Sequence, residues 1–171
     1  MKVGDSRDET AGWSQELVVY SEYGQFQLSD RESNAEFDWD VEAFDRHLAI
    51  GHDIMSMATT TMFGEVVVRV EVWASEPPMD LFASDHIVEA SIELSTRRAS
   101  ITSLSTDIPL DVELQPGWFR VRAAGRNLAE GAFEDAELKG RDSYVLQLWQ
   151  AASGPPTLVK AWNAWPDSGP K

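Results

Sequence analysis

Three kinds of side chain in this 171-residue sequence have the types and spacing to do chemistry: clustered carboxylates, three histidines and one group of arginines. The densest carboxylates lie in AEFDWDVEAFD, residues 35–45, where Glu36, Asp38, Asp40, Glu42 and Asp45 are threaded between Phe37, Trp39 and Phe44. Asp38, Asp40 and Glu42 recur at every second residue, which raises calcium. An EF-hand loop also needs a central glycine and a closing glutamate at fixed offsets, and both are missing here. The spacing therefore argues against a metal.

His47 and His52 stand either side of Gly51, with Asp45 and Asp53 nearby. Across a helix stop that separation does not put both rings on one face, so surface or partly buried histidines are expected rather than ligands. His86 and Glu89 point to opposite faces of a strand, which removes a shared acid–base site. The chain has no G-x-S-x-G elbow, phosphate-binding glycine loop or H-E-x-x-H pair. It also lacks cysteine, which excludes disulfides, thiolate metal sites and Cys nucleophiles. The expectation is a non-catalytic protein with no metal and no cofactor.

The arginines are Arg97, Arg98, Arg120, Arg122 and Arg126. Arg120 and Arg122 share a strand face with Trp118, in the manner of a small nucleic-acid surface. Against them stands a net charge of −15, from 29 acids and 14 bases, which repels phosphate backbones and speeds encounter with basic partners. Pairing of Arg120 and Arg122 with Asp111 and Glu113 across a hairpin is the expected role. Trp39, Trp73, Trp118 and Trp149 would stack on sugars or bases if clustered on one open face, and would otherwise cover the core.

The elements that must position these residues are mostly strands. ELVVYSEYGQFQL (16–28) reads as one or two strands broken near Glu22–Gly24. Val41, Phe44 and Leu48 give the period of one short amphipathic helix, with Asp38 or Asp40 as N-cap and Gly51 as its stop. EVVVRVEVW (65–73) alternates, with Val66, Val68, Val70 and Val72 on one face. HIVEASIEL (86–94), SITSL (100–104), PLDVELQ (109–115), WFRVRA (118–123), YVLQLWQA (144–151) and TLVKAW (157–162) follow. Leu110, Val112 and Leu114 point inward, and Gln115-Pro116-Gly117 is the turn of a hairpin joining 109–115 to 118–123. Residues 74–84 and the acidic, helix-compatible 129–142 are excursions between strands.

The fold expected is mainly β: a single-domain antiparallel β-sandwich with one or two short helices, without parallel pairing since no βαβ alternation occurs. Its domain runs over 15–162, between a mobile arm at 1–14 and a tail at 163–171. No apolar run approaches the roughly 18 residues of a membrane span, and MKVGDSRDET lacks a signal-peptide core, so a cytoplasmic protein without membrane association is expected.

YGQFQL (23–28), then FDW (37–39) running into a short helix, then a β-rich remainder resembles the competence protein J (ComJ) type of nuclease inhibitor. Tyr23, Gln25 and Phe26 match that family's opening strand, and Asp38 and Trp39 its Asp-Trp pair. DVELQPGWFRV (111–121) is similar to its late hairpin and SYVLQLWQA to its closing strand. The resemblance spans about residues 17–151; the N-terminal arm, the 129–142 insert and the Trp-containing tail depart from it. It implies a protein that binds a DNA-entry nuclease and blocks it.

Capping uses one of the five acids and metal ligation fits their spacing poorly, which leaves at least three carboxylates without structural duty. Glu36, Asp38, Trp39, Asp40, Glu42 and Asp45 are accordingly the expected surface for a basic protein partner such as a nuclease, in whose active site the acids would mimic phosphate. A small-ligand or carbohydrate-binding β-sandwich using exposed tryptophans is the alternative. Two buried carboxylates facing each other in a cleft would revive an enzyme.

Overall fold

The computed structural model describes residues 11–132 and 142–165. The strands are β1 (Trp13–Glu22), β2 (Gln25–Asp30), β3 (Leu48–Ile50), β4 (Ile54–Ala58), β5 (Phe63–Trp73), β6 (His86–Leu94), β7 (Ala99–Thr102), β8 (Asp107–Pro109), β9 (Gly117–Arg126), β10 (Ser143–Gln150) and β11 (Thr157–Lys160). Two short helices, α1 (Val41–Arg46) and α2 (Leu128–Gly131), interrupt them. The strands form one ladder in the order β11-β6-β9-β10-β5-β1-β2-β4-β3, and β7 joins β2 to β8.

This sheet curls into a half-barrel instead of dividing into the two clear layers of the expected sandwich. The bend falls at the β1–β2 hairpin, where Glu22 pairs with Gln25 and the chain turns through Tyr23 and Gly24 at φ 55° and 66°. Two residues with positive φ make the primed turn that suits twisted antiparallel strands. Beyond it β2 leaves β1 and pairs with β4 and β7. The concave side collects the alternate residues of each strand: Leu17 and Val19; Val66, Val68 and Val70; Val88, Ala90 and Ile92; Phe119 and Val121; Leu146 and Leu148. Phe26, Leu28, Met55 and Ile101 close it from the second half of the sheet.

Three expectations about the elements are corrected. β10 runs parallel to β5, from Ser143↔Val67 to Trp149↔Trp73, so pairing is not wholly antiparallel. No helical crossover is needed, because β6 and β9 intervene before the chain returns as β10. Residues 109–115 are not the partner of β9, which lies between β6 and β10. Leu110 and Leu114 are buried as expected, but from a loop fastened by Leu110 N–H to Ala99 O and Leu114 N–H to Arg97 O, 2.9 and 2.8 Å. The helix ends before Leu48, which opens β3, and its buried residue is Ala43, with Val41 and Phe44 exposed.

Gly51 is consequently no helix stop. It sits in the β3–β4 turn, its N–H bonded to Ile54 O, and a Cβ there would lie 2.6 Å from the carbonyl oxygen of Glu36. β1 begins at Trp13, inside the segment assigned to the arm, and Trp162 and Trp165 pack against the core. Of the 129–142 insert, residues 133–141 lie outside the described residues.

Candidate functional site

The acidic stretch crosses the surface between β2 and β3, which puts it beside the bend of the sheet. Asp40 caps α1: its side chain accepts from Ala43 N–H at 2.8 Å. His47 ends the helix in the left-handed conformation. Trp39 is half-buried and its indole N–H donates to Gln25 Oε1 at 2.8 Å, which ties the stretch to β2. Glu36, Asp38, Asp40, Glu42 and Asp45 are all exposed, and no basic side chain among the described residues forms an ion pair with any of them.

Beside these acids lies a groove of about 320 Å³. Among the described residues Trp39, Phe44, Trp165 and Met62 wall it, with Gln25 and Thr59 among its few polar residues and no lysine or arginine. Trp39 and Phe44 are tilted rings 5.5 Å apart, and Trp165 stacks on His47 at 3.9 Å. Of the groove's lining, Tyr23, Phe44 and Met62 are exposed to 65%, 41% and 42%, and Phe63, edge-on to Tyr23, to 55%. So many bare apolar side chains in one neighbourhood are what binding surfaces present. From the sequence, Trp39 and the acids were expected at a partner surface and His47 was weighed only as a metal ligand; Met62, Phe63 and Trp165 were not singled out. Only tertiary folding brings β2, α1, the β4–β5 loop and the C-terminal segment together.

The histidines separate by environment. His86 is buried, with Nε2 2.9 Å from Arg46 O and Nδ1 accepting from Trp162 N–H at 3.3 Å, which defines a neutral ring protonated at Nε2. Burial pushes His86 below the usual histidine range, opposed by the Arg46 carbonyl. Burial and the neighbouring His86 lower His47 to about 4. His52 instead pairs with Glu93 at 2.9 Å. Among the described residues no group of three His, Asp or Glu is placed to hold a metal.

Neither pairing expected for the arginines forms. Arg122 is buried on the convex face, its Nε 2.9 Å from Glu89 and its Nη2 3.3 Å from Glu76. Its Nη1 donates to the carbonyls of Pro77 and Pro78 at 3.0 and 3.2 Å, and the guanidinium lies 5.3 Å from the Trp149 ring. Arg122 thus fastens the start of the 74–84 excursion onto the sheet, and Lys160 Nζ fastens its end, donating to the carbonyls of Leu81 and Ser84 at 2.7 Å each. Arg120 donates to Ser91, Gly154 and Thr157, and Glu113 is met by Arg97. Of the four tryptophans compared, Trp149 is buried and Trp73 is held by Glu71, so they form no open row of rings.

Two further carboxylates are buried, each with its own donors. Asp30 receives Thr96 Oγ1 and the N–H groups of Glu32, Ser95 and Thr96. Burial would raise its pKa, but these donors outweigh it and hold the carboxyl below the usual range. Asp142 accepts from Tyr144 OH, Thr60, and Thr61 N–H and Oγ1. Burial first, and the Asp142 charge second, push the Tyr144 phenol well above its ordinary value. Both acids brace the sheet, at separate places, and do not face each other in a cleft.

No family model matches the sequence, and neither does any curated protein. Two solved structures share the fold. ComJ from Bacillus subtilis, an inhibitor of the DNA-degrading activity of NucA, superimposes with a TM-score of 0.61 at 14% identity over 82% of this chain and 97% of its own. The crocagin biosynthetic gene J product superimposes with a TM-score of 0.56 at 17% identity over 80% and 96%. At such identities the likeness is one of fold: the chain has a ComJ-like architecture.

Proposed function

We propose that the protein is a non-catalytic binding protein that inhibits a nuclease, or a similarly basic protein, through the surface of Glu36, Asp38, Trp39, Asp40, Glu42 and Asp45. The observation that carries this reading is the adjacency to an apolar groove of exposed acids that form no ion pair among the described residues. Acids alone attract a cationic active site at long range but bind weakly once salt screens them. A desolvated aromatic anchor supplies the short-range part. The ComJ-like architecture supports the same reading, since that neighbour inhibits a nuclease.

The test is affinity capture from the native host at low salt, followed by association kinetics with the captured protein. Converting Asp38, Asp40 and Glu42 to Asn or Gln should slow association by about tenfold or more at low ionic strength, with little effect at high salt. Capture of no basic nuclease-like protein, or an unchanged on-rate, refutes the proposal.

A further inference from the structure

The groove beside the acids has a chemistry of its own, and it is specific. Its walls are three aromatic side chains and a thioether, from Trp39, Phe44, Trp165 and Met62. The only ionisable ring base in it, His47, is neutral at physiological pH because burial and His86 disfavour its charge. The acids that flank its aromatic residues in sequence, Asp38, Asp40 and Asp45, are exposed and have no cationic partner among the described residues. An aromatic-walled cleft within a negative field favours an organic cation over a neutral apolar group, because a ring face attracts positive charge and the nearby acids add to it. Among protein side chains, the guanidinium is planar, weakly hydrated and stacks on aromatic rings, whereas an ammonium holds its water more strongly. Tyr23, at the β1–β2 turn, adds an exposed ring at the groove, edge-on to Phe63 at 5.0 Å.

We infer that the groove is the socket for an arginine side chain of the basic partner, held against the rings of Trp39, Phe44 and Trp165 that line it while the acids engage the charge around it. The inference rests on the proposed function for the existence of a protein partner. Its test does not, since it uses the isolated full chain. The probe is the tripeptide acetyl-Gly-Arg-Gly-amide, titrated at low salt while the indole N–H resonances of Trp39 and Trp165 are followed by NMR. The isosteric citrulline peptide, the Phe peptide and free agmatine are the comparison arms.

The expected result is saturable movement of both indole resonances, with the citrulline and Phe peptides about tenfold weaker, the difference that a cation–π contact of about 1.4 kcal/mol makes. Phe44→Ala, at an exposed position, should weaken the arginine peptide about fivefold while leaving the fold intact. Equal binding of arginine and citrulline peptides, or tighter binding of the Phe peptide, overturns the inference. So does agmatine binding more tightly than the peptide, which would make the site one for a small cation. Contacts from residues 166–171 to the Trp39 and Trp165 rings in the free chain would make the chain itself the occupant, and overturn it likewise. A chain that takes the peptide but captures no nuclease breaks only the functional proposal. A captured nuclease indifferent to Phe44→Ala breaks only the socket.

Discussion

Arg122 and the 36–45 stretch handle charge in opposite ways. On the convex face, a buried guanidinium meets Glu89, Glu76, two carbonyls and a tryptophan ring, so each side of it has a partner inside the chain. Near the bend of the sheet, five carboxylates stand in water, and only Asp40 has an assigned contact that holds structure together. Charge with internal partners is part of the architecture. Charge without them is available to something else. The difference lies in burial, since a buried ion left unpaired is costly whereas an exposed one is stabilised by water.

The comparison makes graded predictions. Arg122→Ala should destabilise the fold most, by about 3–5 kcal/mol in denaturant titration, because Glu89 and the Pro77 and Pro78 carbonyls lose their donor. A loss below about 1 kcal/mol would mean that the Lys160 bonds to Leu81 and Ser84 suffice to hold the 74–84 loop. Acidification comes next. His47 and His86 have pKa values below the ordinary 6.5, so the unfolded chain takes up protons first as pH falls. Their contribution is complete above pH 6.5 and declines as pH drops towards the His47 value of about 4. A decrease on the order of 1–2 kcal/mol is expected across that window, shallower in His47→Asn, a residue that tolerates the left-handed cap.

Asp40→Ala should cost about 1 kcal/mol through the lost cap, and Asp40→Asn only a few tenths. Smallest of all, neutralising Glu36, Asp38, Glu42 and Asp45 together should change stability by less than about 0.5 kcal/mol per site, or raise it by relieving repulsion. If unfolding shows that these acids stabilise the chain strongly, they are structural and the contrast with Arg122 fails.

Much of this was legible in the residues. Alternation in EVVVRVEVW marked β5, since a half-buried strand repeats every second residue, HIVEASIEL was read as the strand that is β6, and the β1–β2 break fell near Glu22–Gly24. Asp40 was one of two caps foreseen. Strands β3 and β4 escaped notice because LAI is three residues long and IMSMA has no alternation to detect. Val41, Phe44 and Leu48 had helical spacing, yet Leu48 belongs to a strand and the other two face outward. An apolar residue bared at a groove and one buried in a core look identical in a one-dimensional pattern.

By itself, then, the sequence determined the β-rich class, the inward valines, the cap at the start of the helix and the acidity of residues 36–45. These depend on neighbours within a few positions, where backbone sterics and side-chain period act directly. Tertiary structure alone decided that β10 would lie parallel to β5, that Arg122 would meet Glu89 and the Pro77–Pro78 carbonyls, and that Trp165 would stack on His47 to wall the groove. Those contacts join residues from distant parts of the chain, and they form because the curled sheet brings together surfaces that no local rule connects.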